Sequence, residues 1–347
     1  MRRRRFLKNL GLQIGLQGLG FQGAFASDSW LSSLNSPNSI PQVLKPPRLQ
    51  PGDTIGLVSP ATSIHKSSLK FINLKLNQVG FRAKAAPHVL DEYGYLAGRD
   101  LDRAADINAM FADDSVKAIL ATTGGWGSNR ILPLLDYNLI RQNPKIVLGF
   151  SDITGLLLGL YSQCQLISFH GLLGLARWSP PSMAYFQQVL IAGEKATFRN
   201  TAEIRVQTLT AGRAQGRLVG GNLSVLAGLV GSDYLPDWNN TILFVEDVGE
   251  DVYRVDRLIT HLKLAGVLSK LSGFIFAKCT RCLDETDPSP TLTLWQMLEE
   301  QIRPLGIPAW YGSMMGHLQN QFIVPIGALV EIDAVQGTIQ MLETAVI

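Results

Sequence analysis

Cysteine is scarce. Cys164, Cys279 and Cys282 are the three in 347 residues, too few and odd in number for a disulfide framework. The CxxC of Cys279 and Cys282 has no second pair and no histidine beside it, which argues against zinc. Ordinary packing is the first reading of that pair and oxidation the second. HExxH and other paired ligand sets are missing, so neither a metal nor a cofactor is expected. No apolar run approaches the ~20 strongly apolar residues that cross a bilayer. Charge is also sparse, at 17% of residues, and the net +3 is unevenly placed. Residues 1–26 hold Arg2, Arg3, Arg4, Arg5 and Lys8 and no acid, so the rest of the chain carries 3 − 5 = −2. No basic patch remains to suggest a nucleic-acid partner.

The basic block is itself a signal. Arg3-Arg4-Arg5-Phe6-Leu7-Lys8 fits the RRxFLK pattern of twin-arginine (Tat) export. A weakly apolar run and a small-x-small site, Ala24-Phe25-Ala26, follow it. Residues 1–26 are expected to be a Tat-type signal peptide leading to the periplasm. The glycines and glutamines of the run speak against a stable membrane anchor. The alternative is a basic tail on a cytoplasmic protein. Residues 27–50, rich in Ser, Pro and Asn, read as a linker.

From residue 51 the pattern is α/β. Continuous apolar runs at 54–59, 116–122 and 145–150 predict central parallel strands, with further strands at 81–86 and 166–169. Helical periodicity falls between them, up to about residue 77 and at 100–111, 130–140 and 153–161. That alternation predicts a doubly wound parallel sheet over 51–177. Residues 178–215 read as an interdomain connection, and 216–347 as a second domain. The latter has strands at 241–245 and 273–277, helices at 252–265 and 294–303, and a hairpin of 328–332 with 338–342.

The segment Thr123-Gly-Gly-Trp-Gly-Ser-Asn-Arg130 joins a buried strand to a helix through three glycines. Such a turn lets the chain take positive φ and approach a ligand closely. It would expose Ser128 at the carboxyl edge of the sheet, beside free helix N–H groups suited to an oxyanion. A phosphate-binding loop is the competing account, weakened by the lack of a Walker lysine. A serine nucleophile needs a base and an orienting acid. Of the five histidines, His317 stands out, in the loop 312–320 after a strand-like 308–311. Glu246 closes the apolar run 241–245, where a carboxylate can be held rigidly. His170 ends a strand and is placed to line a cleft.

In this order, several segments resemble the LD-carboxypeptidase family. They include Pro51-Gly-Asp-Thr-Ile-Gly-Leu-Val-Ser-Pro60, Gly94-Tyr-Leu-Ala-Gly-Arg-Asp100, TTGGWGSNRILPLLDY and Gly149-Phe-Ser-Asp-Ile-Thr154. His170-Gly171, Gly220-Gly-Asn-Leu223, LFVEDVGEDVYRVDR, Gly316-His317 and Pro325-Ile-Gly327 complete the set, which spans about residues 45–345. The resemblance implies a Rossmann-like N-terminal domain, a smaller β-rich swivelling C-terminal domain, and a homodimer. It also implies a serine carboxypeptidase with a Ser-Glu-His triad, which the sequence reading places on Ser128, Glu246 and His317. The substrate would be a murein tetrapeptide, cut at the LD-bond before its terminal D-alanine. Gly125 and Asn129 are the expected oxyanion donors, and Trp126, Ser151, Asp152 and His170 the expected substrate-binding residues. Trp126 stands where the family often has tyrosine, and Thr123 where it often has arginine, which bears on substrate preference. The alternatives are a related hydrolase of a peptidyl-nucleotide amide and a non-catalytic muropeptide-binding protein.

Overall fold

The computed structural model describes residues 43–282 and 291–347. The expected signal peptide and most of the linker lie outside the described residues.

The first sheet grows from the predicted apolar runs. Strands β1 (Thr54–Val58), β2 (Arg82–Ala85), β3 (Val116–Ala121), β4 (Ile146–Gly149) and β5 (Ser168–His170) are parallel, in the order β2-β1-β3-β4-β5. Helices α1 (Lys66–Gln78) and α2 (Asp100–Ala112) connect the first three strands. The order reverses between β1 and β3, and ligands of open α/β sheets bind outside the carboxyl ends near such a point. β4 is buried throughout and β3 everywhere except Lys117, as expected of strands covered on both faces.

The helix predicted over 130–140 is broken into α3 (Ser128–Ile131), a 3₁₀ turn at Leu132–Leu134, and α4 (Tyr137–Gln142). Pro133 lacks the N–H that continuation requires. Asp136 then starts α4 by accepting from the N–H groups of Asn138 and Leu139. Helix α5 (Thr154–Cys164) follows β4 and is buried along nearly its whole length.

The region expected to be a connection, 178–215, contributes α6 (Pro180–Phe186), β6 (Thr197–Phe198) and β7 (Gln207–Thr210). The chain continues through β8 (Arg213–Asn222), α7 (Leu223–Ala227), β9 (Thr241–Val248), α8 (Val252–Leu264) and β10 (Leu271–Thr280). It ends with α9 (Leu294–Gln301), β11 (Ala309–Tyr311), β12 (Val324–Ile326), β13 (Leu329–Asp333) and β14 (Thr338–Met341). Among the described residues, eight strands form the second sheet in the order β6-β14-β13-β8-β9-β10-β11-β7. Its centre, β8 to β11, is parallel, and antiparallel strands flank it. So β6 and β7 are its edge strands, while β12 crosses back to pair antiparallel with β5 of the first sheet. The linear domain boundaries of the sequence reading therefore do not separate the two sheets.

The sheets meet where α5 begins. Thr154 Oγ1 accepts from the N–H of Asn222 at 2.9 Å. A Cβ on Gly221 would lie 2.5 Å from that oxygen, so glycine is required for the approach. Cys279 and Cys282 are joined as a disulfide at the end of β10, which corrects the packing reading of that pair.

Candidate active site

Two turns at the carboxyl ends of neighbouring strands build one wall of the site. After β4 the chain turns sharply at Phe150 and Ser151 and enters a 3₁₀ turn, Ser151–Ile153, that leads into α5. Ser151 has φ +62°, left-handed for a residue with a side chain. Such conformations cost about 1–3 kcal/mol and persist where their surroundings over-determine them. Gly149 is needed here, because a Cβ would stand 2.5 Å from Ile153 Cγ2. A strand, a strained serine turn and a helix are the parts of a nucleophile elbow. From the end of β3, Gly124 packs against it, with room for no Cβ: one would fall 2.9 Å from Ser151 Cβ and 3.0 Å from Oγ.

The opposite wall comes from the second sheet. β9 runs on to Val248, so Glu246 lies within the strand and level with Asn222 of β8. Glu246 is fully buried. Asn222 Nδ2 donates to Glu246 Oε1 at 3.3 Å and to Asp247 Oδ1 at 3.1 Å. Burial pushes the Asp247 carboxyl up to about 6. His317 arrives on the loop after β11. Gly316 before it has φ +93°, and a Cβ there would sit 2.2 Å from Glu246 Oε2. Thr280 Oγ1 donates to the His317 carbonyl at 3.2 Å, tying the loop to β10.

The side chains converge. His317 Nδ1 lies 2.8 Å from Glu246 Oε2, and Nε2 lies 3.0 Å from Ser151 Oγ. A carboxylate oxygen accepts, so Nδ1 is the donor and Nε2 is left to accept from the Ser151 hydroxyl. Phe150 packs edge-on against the imidazole, with centroids 5.1 Å apart. The arrangement has the parts needed for nucleophilic attack: a hydroxyl, a base in reach of its proton, and a buried acid fixing the base.

Glu246 and His317 thus meet as expected, but the serine they meet is Ser151. Ser128 is fully buried, and its hydroxyl donates to the main-chain oxygen of Asp152. The expected Ser128–His317 contact is not formed, because the glycine loop folds Ser128 beneath the elbow. Asn129 therefore does not follow the serine at the histidine, and its Nδ2 donates to Val225 O at 3.3 Å. Gly125, φ +122°, stays in the loop beside Thr62.

Trp126 is 69% exposed. The Asp152 carboxylate is buried, its Oδ2 accepting from the Ser128 N–H at 2.8 Å, and so faces the glycine loop. His170 has no exposed surface and presents none to a substrate. Its ring packs edge-on against Phe244 at 5.2 Å and near Phe150 at 6.1 Å, and neither ring nitrogen finds a hydrogen-bond partner among the described residues. Burial lowers its pKa to about 4.

The signal for Ser151 was in the sequence. Gly149-Phe-Ser151 stands between a buried strand and an apolar helix and supplies the G-x-S half of an elbow string. The richer glycine run at 124–127 points instead to Ser128. Elsewhere, ligand atoms of His88, Asp91 and Asp102 lie within 4.8 Å of one another, and a hydrogen-bonded pair of His88 with Asp91 accounts for part of that cluster.

Comparison with known proteins agrees with this architecture. The chain matches the LD-carboxypeptidase N-terminal domain over residues 55–171 and the LD-carboxypeptidase C-terminal domain over residues 215–332. It is 36% identical over 300 residues to the "Probable murein peptide carboxypeptidase" of Bacillus subtilis (strain 168), covering 85% of this chain and 93% of that protein. It is 31% identical over 291 residues to the murein tetrapeptide carboxypeptidase of Pseudomonas aeruginosa, covering 79% and 91%. The solved structure of MccF in complex with glutamyl sulfamoyl guanosine aligns with a TM-score of 0.80 at 27% identity, over 88% of this chain and 100% of that one. Two domain matches in chain order, and identities of 36% and 31% over most of the chain, lead to one conclusion: the chain belongs to the LD-carboxypeptidase family.

Proposed function

We propose that the chain is a serine carboxypeptidase that cleaves the LD-peptide bond before the terminal D-alanine of murein tetrapeptides, with Ser151 as nucleophile. The observation that carries this is the continuous relay from Ser151 Oγ through His317 to buried Glu246, at 3.0 and 2.8 Å. In this reading His317 Nε2 takes the Ser151 proton as Oγ attacks the carbonyl of the L-centred residue. Glu246 holds the imidazole in its productive tautomer and stabilises the imidazolium. The oxyanion is received by backbone N–H groups of Asp152, in the first helical turn where N–H groups lack intrahelical partners, and of Gly125. His317 then gives its proton to the departing D-alanine nitrogen. Water, activated by the same histidine, hydrolyses the acyl-enzyme and restores Ser151.

A second reading is hydrolysis of a peptidyl-nucleotide amide. The similarity to MccF favours it, as does the exposed ring of Trp126, which offers a stacking face. The pattern at residues 3–8 supports export by the twin-arginine route, which would put the enzyme in the periplasm. Incubation of the purified chain with murein tetrapeptide, murein pentapeptide and an aminoacyl-sulfamoyl adenosine, followed by mass spectrometry, separates the readings. Release of D-alanine from the tetrapeptide alone is expected. Cleavage of the adenylate alone would establish the second reading, and turnover of none would overturn both.

A further inference from the structure

Ser128, displaced from the role of nucleophile, has no contact with His317 yet is tied to the elbow in two ways. Its hydroxyl donates to the main-chain oxygen of Asp152, and its own N–H donates to Asp152 Oδ2 at 2.8 Å. Both ends of residue 152, carbonyl and side chain, are therefore held by the glycine loop. Residue 152 is the one that follows Ser151, whose φ of +62° is strained. The loop can reach this far down because Gly127 adopts φ +112° and because α5 presents Gly155, where a Cβ would stand 3.0 Å from Ser128 Oγ.

A polar pair buried this deeply is costly unless fully hydrogen-bonded, and these bonds run between the turn after β3 and the turn after β4. Releasing Asp152 would free the elbow to relax toward ordinary backbone angles. Ser151 Oγ would then leave His317 Nε2, and the Asp152 N–H would rotate away from the oxyanion.

We propose that Ser128 and Asp152 are positioning residues, a stitch between the two turns that holds Ser151 in its attacking conformation. The proposal rests on Ser151 being the nucleophile. Its effect is expected in kcat, since misplacement of a reacting group by about 1 Å can cost ~10²-fold while leaving substrate contacts in place.

The test uses the full chain with Ser128→Ala, Asp152→Asn, Asp152→Ala and Ser151→Ala. It follows kcat, KM, the second-order rate of phosphonylation by a fluorophosphonate, and the thermal midpoint. Ser128→Ala is expected to lower kcat and the phosphonylation rate together by about 10- to 100-fold, with KM within about threefold. Asp152→Asn, which keeps the shape and part of the bonding, should lose less than Asp152→Ala. Should Ser128→Ala not fold, the ratio between the two Asp152 variants carries the same test. Folded variants with kcat and phosphonylation within twofold of wild type would overturn the stitch, as would losses confined to KM. Retained activity in Ser151→Ala would instead overturn the nucleophile assignment on which it rests.

Discussion

Two serines leave the first sheet at strand-to-helix turns and end in different chemistry. Ser128 follows β3 through three glycines, and Ser151 follows β4 two residues after one glycine. Each sits where a buried parallel strand turns into a helix. At Ser128 the left-handed angle is taken by Gly127, so the serine starts the helix with its side chain turned inward. At Ser151 the serine itself takes the left-handed angle, and this lifts its hydroxyl to His317. The difference teaches that a glycine run relaxes a turn and so lowers the strain that would expose the serine. The poorer glycine context is the one that produces the strained, presented side chain.

The sharpest way to break this comparison is to remove each hydroxyl. Ser151→Ala should lower kcat by roughly 10⁴–10⁶, as loss of the nucleophile does in other triads. Ser128→Ala should cost at most about 10²-fold. Steady-state kinetics on D-alanine release measures both, and a reversed ranking would exchange the roles of the two turns.

Next in size is the acid. Glu246→Gln keeps the shape but lets the amide donate, which disfavours the Nδ1–H tautomer of His317. A loss of about 10³–10⁴ in kcat with little change in KM is expected. A loss in KM alone would assign Glu246 to substrate binding.

Gly316→Ala sharpens the comparison from the opposite wall. Its Cβ would meet Glu246 Oε2 at 2.2 Å, in a backbone conformation that alanine resists. Stability should fall by about 1–3 kcal/mol and kcat by about 10-fold or more, seen in denaturant titration and turnover. Retention of both would show that the His317 loop does not need this close approach.

The smallest effect concerns His170, behind both turns. Burial depresses its pKa to about 4, so the folded state binds fewer protons than the unfolded chain between pH 6.5 and 4. The stability this residue contributes is complete above pH 6.5 and is lost as pH falls toward 4, by up to roughly 3 kcal/mol. His170→Leu should flatten that acid limb in denaturation midpoints taken at pH 7 and pH 4.5. An unchanged slope would place the acid sensitivity elsewhere.

Much of the frame was legible because continuous apolar runs such as 116–121 and 146–149 admit few readings other than strands buried on both faces. The contact of Glu246 with His317 was legible for related reasons, an acid closing an apolar run and a histidine in a glycine-bearing loop. What escaped depends on tertiary contact. β6 and β12 are two and three residues long and exist through pairing with distant strands. Asp152 and His170 are expected substrate-binding residues by their places at strand ends, yet packing buries both. The close packing of Gly124 from the end of β3 against Ser151 joins residues 27 apart, and no local pattern encodes it.

The most direct test of the central claim is to ask which serine becomes covalently modified. Full chain treated with a fluorophosphonate, digested and mapped by mass spectrometry should carry the adduct on Ser151. That adduct should vanish in Ser151→Ala, slow in Ser128→Ala, and be suppressed by competing tetrapeptide. An adduct on Ser128, or labelling that survives in Ser151→Ala, would contradict the account.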